Sequence, residues 1–396
     1  MRFLIICLCV ALANAGLAPL LTSNDRSVPN SWIIKIKDFD EVDHVADEIA
    51  SRFKRMLLPP PRATKIRYVL PALTLQIPAR LIDDIRSIEG IEYIEQDSFG
   101  TLYGTQVNPI WNLDRIDSRT GTDGYYNYND NVQGKGVNVY IMDTGIQTRH
   151  KVFTSRASVL YGDEDSIGHG THVAGTAAGA TYGIAREANV YSLNVCNMFS
   201  YCPKSTVVEG LQAVREHGGT SGGVVSISLG WSQSETINTA VKEMVTAGYV
   251  VSVAAGNSNI DACSVSPASV NEVITVGAVD DSDTRAGFSN HGACLDIFAP
   301  GVDIVSSTNS DYSFSATKIM SGTSMACPHV TGAVELFLGQ NPGATPAEVK
   351  TALLNDATSD VIPDTKGSPN KLLYISVILG PIIGGVVWDH RRMTRV

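Results

Sequence analysis

Positive charge is the scarcer sign in this chain, and charge of either sign is thin. Thirty lysines and arginines stand against 40 aspartates and glutamates, charged side chains make up 18% of the sequence, and the formal net charge is −10. Such a balance excludes nucleic acid or an anionic membrane as the main partner, because both select basic surfaces. Internal repeats and low-complexity tracts are absent, so neither a solenoid nor a disordered tail protein fits. A hydrophobic share of 44% describes an ordinary globular protein. No N-x-S/T sequon occurs anywhere, so no segment is tied to N-glycosylation. At 396 residues there is room for one large core and a smaller companion.

What is present begins with MRFLIICLCVALANA, one basic residue, an apolar run and a small-x-small end. That is the pattern of a secretory signal over residues 1–15, and it points to export. Cys7 and Cys9 leave with it, so seven cysteines become five, an odd number for an oxidising compartment. Near the other end, LLYISVILGPIIGGVVW (372–388) carries no charge and is followed by DHRRMTRV. Gly380, Pro381, Gly384 and Gly385 make it a poor helix, so a terminal strand with an irregular tail over 376–396 is expected rather than a membrane span.

Residues 31–99 read as a small α+β unit. SWIIKIKD is a strand, DEVDHVADEIASRFKR a helix, KIRYVLPALTLQIP extended chain, ARLIDDIRSIEG a second helix and IEYIEQDSF a last strand. This order predicts a ferredoxin-like arrangement. A turn-prone Gly- and Asn-rich stretch, about 100–135, follows. From residue 136 the grammar changes. VNVYIMDTG, NVYSLNV, VVSISLG, YVVSVAAGN and EVITVGAVD are apolar β-rich runs that stop abruptly in polar or glycine residues. Between them lie helical stretches, including STVVEGLQAVREHGG with a Thr206–Glu209 capping-box pattern. Buried strands alternating with helices predict an α/β fold with a doubly wound, mainly parallel sheet. Functional groups in such sheets collect at the carboxyl ends of the strands.

Asp143 ends the strand VNVYIM and so belongs to that edge. GHGTHVAGTAAG places His169 and His172 at the head of a helix of small residues, which allows close backbone approach. Two histidines three apart are a metal pattern only in outline, since the Glu and the spacing of H-E-x-x-H are missing. SGTSMACPHV brings Ser324, Cys327 and His329 together. Pro328 is expected within the first helical turn, where N–H groups lack internal partners. Ser324 then lies at or beside a helix N-terminus, where negative charge is favoured. His329, five residues on, is turned roughly 140° around the helix and cannot serve Ser324 as a base. The base must come from another segment. Asp143, His169 and Ser324 supply a carboxylate, an imidazole and a hydroxyl in the chain order of subtilisin.

VYIMDTGI, GHGTHVAGT, AAGN and SGTSMACPH together resemble the subtilase (subtilisin-like serine protease) family, in particular its proteinase K-like branch, over about residues 31–375. The resemblance implies that Ser324 attacks the scissile carbonyl, His169 carries the proton and Asp143 orients the imidazole. Asn257 and the Ser324 backbone N–H would form the oxyanion hole. Substrate would pair with the edges Ser200, Tyr201 and Ser228, Leu229, Gly230, with Ala254, Ala255 and Gly256 walling the pocket for the residue before the cut. None of these segments holds an acidic residue, so an apolar to aromatic preference is expected. Residues 16–103 would be an inhibitory propeptide, removed by self-cleavage near Tyr103–Gly104, leaving a peptidase domain over 104–375.

By the same resemblance Cys263 and Cys294 form a disulfide, Cys196 and Cys202 could close a second, and Cys327 is left as a free thiol. Position 173, where proteinase K-like enzymes often carry a free cysteine, is Val. Asp296 matches a structural calcium ligand, with the carbonyls of Asn271 and Val273 as partners. No cofactor is implied for catalysis. The whole reads as a secreted, monomeric endopeptidase acting on proteins and peptides. The alternative is a catalytically silent, subtilase-like binding protein that retains its prodomain.

Overall fold

The computed structural model describes residues 17–22, 27–98, 103–218 and 222–375. The expected signal segment 1–15 and the tail 376–396 lie outside the described residues. Contacts divide the chain into two compact units, one up to residue 100 and one from residue 101. In the first, the elements are β1 (Leu20–Leu21), β2 (Ser27–Ile36), α1 (Val42–Arg55), β3 (Arg62–Ile66), β4 (Ala72–Gln76), α2 (Ile82–Ile85) and β5 (Ile91–Ser98), in a sheet of order β1-β5-β2-β4-β3. Val42, Val45, Ile49 and Phe53 recur on one face of α1 and are buried in the unit's core. The extended run after residue 64 is two strands, because Pro71 cannot donate to a ladder and the chain turns there, pairing Ile66 with Ala72. The second expected helix is a single turn, preceded by Pro78.

The second unit opens with β6 (Tyr103–Val107), α3 (Trp111–Ile116) and β7 (Tyr125–Asn129). The stretch expected to be mere turns is therefore structured. Its β6–β7 hairpin is antiparallel, and Leu113, Ile116 and Tyr126 enter the main core. Arg115, 1% exposed, is bonded through Nε and Nη2 to the two carboxylate oxygens of Asp283 at 2.6 and 3.0 Å.

Then follow β8 (Asn138–Asp143), β9 (Ala157–Tyr161), α4 (His169–Ala178), β10 (Asn189–Asn194), α5 (Lys204–Gly218), β11 (Gly223–Ile227), β12 (Trp231–Ser232), α6 (Glu235–Thr246), β13 (Tyr249–Ala254), β14 (Val265–Ser266), β15 (Ile274–Val279) and β16 (Ile297–Pro300). A hairpin of β17 (Ile304–Ser307) and β18 (Thr317–Met320) leads into α7 (Thr323–Gln340), α8 (Pro346–Asp356), β19 (Thr358–Ser359) and β20 (Lys371–Leu372). The main sheet has nine strands in the order β19-β20-β16-β15-β13-β11-β8-β10-β9, all parallel except the β19–β20 pair. Alternation along β8 shows the double winding. Val139 and Ile141 join one core with α4 and α7, while Tyr140 and Met142 join the other with α5 and α6. After β8 the chain first fills the β10 side, then turns back to fill the β11 side, so β8 marks the topological switch point.

Two local expectations need correction. α5 starts at Lys204, two residues before Thr206, whose hydroxyl donates to the carbonyls of Pro203 and Val195 at 2.8 Å each and caps nothing. The working capping box is Thr345–Glu348 on α8, where Pro346 supplies a preset first turn. At the chain's far end Leu372, Leu373 and Ile375 are buried, and the Ile375 N–H donates to Ile116 O at 2.7 Å. That part of the apolar run is core. Among the described residues, no helix is long and apolar enough to cross a membrane.

Candidate active site

β8 delivers Asp143 at its last residue, at the switch point, fully buried. Its Oδ1 accepts from the Thr144 N–H at 2.7 Å and lies 2.7 Å from His169 Nδ1. His169 is the first residue of α4. Its approach to Asp143 requires glycine at 170, where a Cβ would lie 2.1 Å from the Gly145 carbonyl oxygen and 3.1 Å from Asp143 Oδ1. Asp165, unremarked in the sequence, ties the two segments together. Its oxygens accept from the N–H groups of Ile167, Gly168 and Thr171 and from the hydroxyls of Thr144 and Thr171. Thr144 Oγ1 in turn accepts from the Gly170 N–H at 2.9 Å. An acid one turn before a helix is the available signal, but it sits three residues ahead of the cap, Gly168.

Burial works to lower the His169 pKa, but the charge and hydrogen bond of Asp143 outweigh it, and the pKa is raised above 6.5. With Nδ1 donating to Asp143, Nε2 is left as the basic nitrogen. His172 does not join this pair. Its Nε2 is engaged with the carbonyls of Ile304 and Lys318 at 2.9 and 3.1 Å, and burial pushes its pKa down to about 4. A ring spent on backbone carbonyls is a structural one, which removes the two-histidine metal pattern.

Ser324 is the second residue of α7, half-buried. Pro328 is the sixth, inside the helix rather than in its first turn as expected. A proline there leaves the carbonyl four residues earlier without its helical donor, and that carbonyl belongs to Ser324. The Ser228 hydroxyl fills the gap, donating to Ser324 O at 3.0 Å, and the Ser324 hydroxyl donates back to Ser228 O at 3.2 Å. Among the described residues, Ser324 makes no hydrogen bond to His169; such contacts commonly tighten only around substrate. His329 is buried with Nδ1 donating to Met325 O at 2.8 Å and Nε2 accepting from Asn112 Nδ2 at 2.7 Å. Burial lowers its pKa to about 4, so it is a neutral packed residue. Cys327 is a buried free thiol, its pKa pushed up by burial.

Asn257 Oδ1 accepts from the backbone N–H and hydroxyl of Thr323, each at 2.8 Å. That fixes the amide orientation and leaves Nδ2 as its free donor end. Gly256 has φ 104°, and a Cβ there would meet Asn290 Nδ2 at 2.4 Å. Asn290 holds this turn, donating to Ala255 O and accepting from the N–H groups of Ser258 and Ile260. Beside Ser324 and Asn257 opens a cavity of about 770 Å³, lined among others by Ser200, Tyr201, Ser228, Leu229, Gly230, Trp231, Ala254, Gly256, Ile260 and Val265, with no charged residue. Ala255 is a correction: it lies at 0% exposure, on the opposite side of the chain from Ala254, within the core shared with α5 and α6.

The chain matches the model of the subtilase family over residues 134–374. The chain belongs to the subtilase family. It is a subtilisin-like serine endopeptidase. The chain is 42% identical to an extracellular serine proteinase of Thermus sp. (strain Rt41A), over 77% of its length and 75% of the relative's. It is 33% identical to proteinase R of Parengyodontium album, over 80% and 81%. A crystal structure of a cold adapted subtilisin-like serine proteinase superposes with a TM-score of 0.64 at 41% identity, covering 68% of this chain and 98% of that one. Both expected disulfides are formed, Cys196–Cys202 and Cys263–Cys294.

The calcium expectation fails on geometry. The oxygens of Asp296, Asn271 and Val273 do converge, but on the ammonium of Lys350. They do not fit calcium while that side chain holds them. The Tyr103–Gly104 bond lies within β6, where Gly104 pairs with Tyr128, so cutting there requires the end of the strand to open.

Proposed function

We propose that this subtilase is a secreted endopeptidase that cuts proteins after apolar or aromatic residues, using Asp143, His169 and Ser324. The observation that carries this reading is the Asp143–His169 hydrogen bond at the switch point, with Ser324 heading the helix beside an uncharged cleft. Ser324 Oγ attacks the scissile carbonyl and its proton passes to His169 Nε2, which then protonates the leaving amine. Asp143 keeps Nδ1–H in place and offsets the charge of the imidazolium. Asn257 Nδ2 and the Ser324 N–H receive the oxyanion, and the Ser324 N–H belongs to a helix turn that has no internal acceptor for it. Loss of one such donor costs about 10²–10³ in kcat, the range established in subtilisin itself. Substrate backbone pairs with the Ser200–Tyr201 and Ser228–Gly230 edges.

The N-terminal unit is read as a ferredoxin-like inhibitory propeptide within residues 16–103, after a signal over 1–15, with the peptidase domain at 104–375 and a tail at 376–396. Its strand–helix–strand–strand–helix–strand order and the order β5-β2-β4-β3 support the reading. The mature enzyme works as a monomer, without a nucleic-acid or membrane partner and without a catalytic cofactor. The test is the mass and N-terminal sequence of the secreted product of the native chain and of Ser324→Ala. The native product is expected to begin within a few residues of Gly104 and to hydrolyse casein; the variant is expected to stay at precursor length and be inert. A processed Ser324→Ala product would assign the cut to another protease, and a processed native chain without hydrolysis would make it a binding protein.

A further inference from the structure

The oxygens that family resemblance assigns to calcium are held by a cation of the chain's own. Lys350 Nζ lies 2.8 Å from Asp296 Oδ1 and donates to the carbonyls of Asn271 at 2.8 Å and Val273 at 2.6 Å. An ammonium has three N–H donors and no acceptor, so these contacts satisfy it completely. The other carboxylate oxygen of Asp296 accepts from the Thr275 N–H at 2.9 Å. Calcium asks for about six to eight oxygens. Charge points the same way: one carboxylate balances one ammonium, whereas a divalent ion beside Lys350 would set three positive charges against one negative.

The elements involved show what the contact holds. Asn271 and Val273 immediately precede β15, Asp296 immediately precedes β16, and Lys350 is carried by α8. The ammonium therefore ties a helix to the amino ends of two sheet strands, away from the carboxyl edge that carries Asp143. Lys350 and Asp296 side chains are only 19% and 20% exposed, so solvent screens the pair weakly. A tethered cation also cannot be diluted or chelated.

We propose that Lys350 is a built-in replacement for calcium, making the stability of this subtilase independent of free calcium. The inference stands apart from the catalytic reading, since its readout is unfolding. Midpoints are measured on the native enzyme, Lys350→Ala and Lys350→Met, each in chelator and in millimolar calcium, with a serine-protease inhibitor present to prevent self-digestion. The native midpoint is expected to be the same in both. The variants are expected to melt lower in chelator and to regain part of the loss in calcium, where each kcal/mol corresponds to about 2–4 °C. Equal calcium shifts in native and variant proteins would overturn the proposal, as would variants that calcium does not rescue. Should neither variant fold, the native protein decides: any calcium-induced rise of its midpoint overturns the proposal, and no rise supports it.

Discussion

At the scale of single residues, the base role proposed for His169 makes the balance of forces on one imidazole set the working pH. Desolvation favours neutral His169, yet the Asp143 carboxylate more than reverses this and raises the pKa above 6.5. A raised pKa keeps the ring protonated to higher pH, and a protonated ring cannot act as base. Activity is therefore present above that pKa and lost as pH falls through it. The acid limb of kcat/KM is expected above pH 6.5, and Asp143→Asn is expected to shift it down while lowering kcat by about 10⁴. A limb that ignores Asp143→Asn would assign the titration elsewhere. That Asp143 meets His169, and that Ser324 and Asn257 share one cleft, is legible in the chain because each sits in a short motif with a chemical reason for its neighbours. Lys350 was not, because its carbonyl partners lie 79 and 77 residues away and a lysine four positions into a helix reads as a solvated charge. Asp165 escaped for a related reason: it serves α4 from outside the usual capping position.

At the scale of elements, α7 illustrates how a sequence rule can point at the right place by a mistaken route. A proline was expected in the first helical turn, which put the helix start close to Ser324. The helix in fact runs through Pro328, and Ser228 supplies the missing donor to the Ser324 carbonyl. Ser228→Ala is expected to leave that carbonyl short of a partner, costing about 1–3 kcal/mol of stability. Loosening the peptide unit that carries Ser324, the proposed nucleophile, is also expected to lower kcat more than it changes KM. An unchanged melting midpoint and kcat would show that water replaces the hydroxyl without loss. Thr206–Glu209 and Thr345–Glu348 share the S/T-x-x-E pattern but differ for an equally local reason. Thr345 caps because Pro346 follows it as a preset first residue, whereas Thr206 follows Pro203 by three positions and falls inside the helix.

For the whole molecule, five strands of the nine-stranded, mainly parallel sheet, β8, β10, β11, β13 and β15, are readable because strands buried on both faces appear as unbroken apolar runs between amphipathic helices. The β6–β7 hairpin and α3 were not, since tyrosines and asparagines at 125–131 resemble turn composition until Tyr126 is seen packed in the core. Double winding explains why residues 181 positions apart, Asp143 and Ser324, meet at one edge: β8 ends at the switch point, and α7 begins against Ser228 and Asn257, which follow the carboxyl ends of β11 and β13. The two disulfides staple loops on this unit and leave Cys327 buried between Ser226 and Ser252, at 3.7 and 3.4 Å from their hydroxyls. A thiol so enclosed and so reluctant to ionise is a poor target for modification compared with Ser324, the proposed nucleophile. The most direct measurement is therefore the mass of the mature enzyme after reaction with a serine-reactive phosphonate, with the adduct mapped by peptide sequencing while hydrolysis is followed. One adduct per chain on Ser324, formed as activity disappears and not formed in His169→Ala, is the predicted result. Full modification with activity intact, or an adduct on any other residue accompanying the loss, would contradict it.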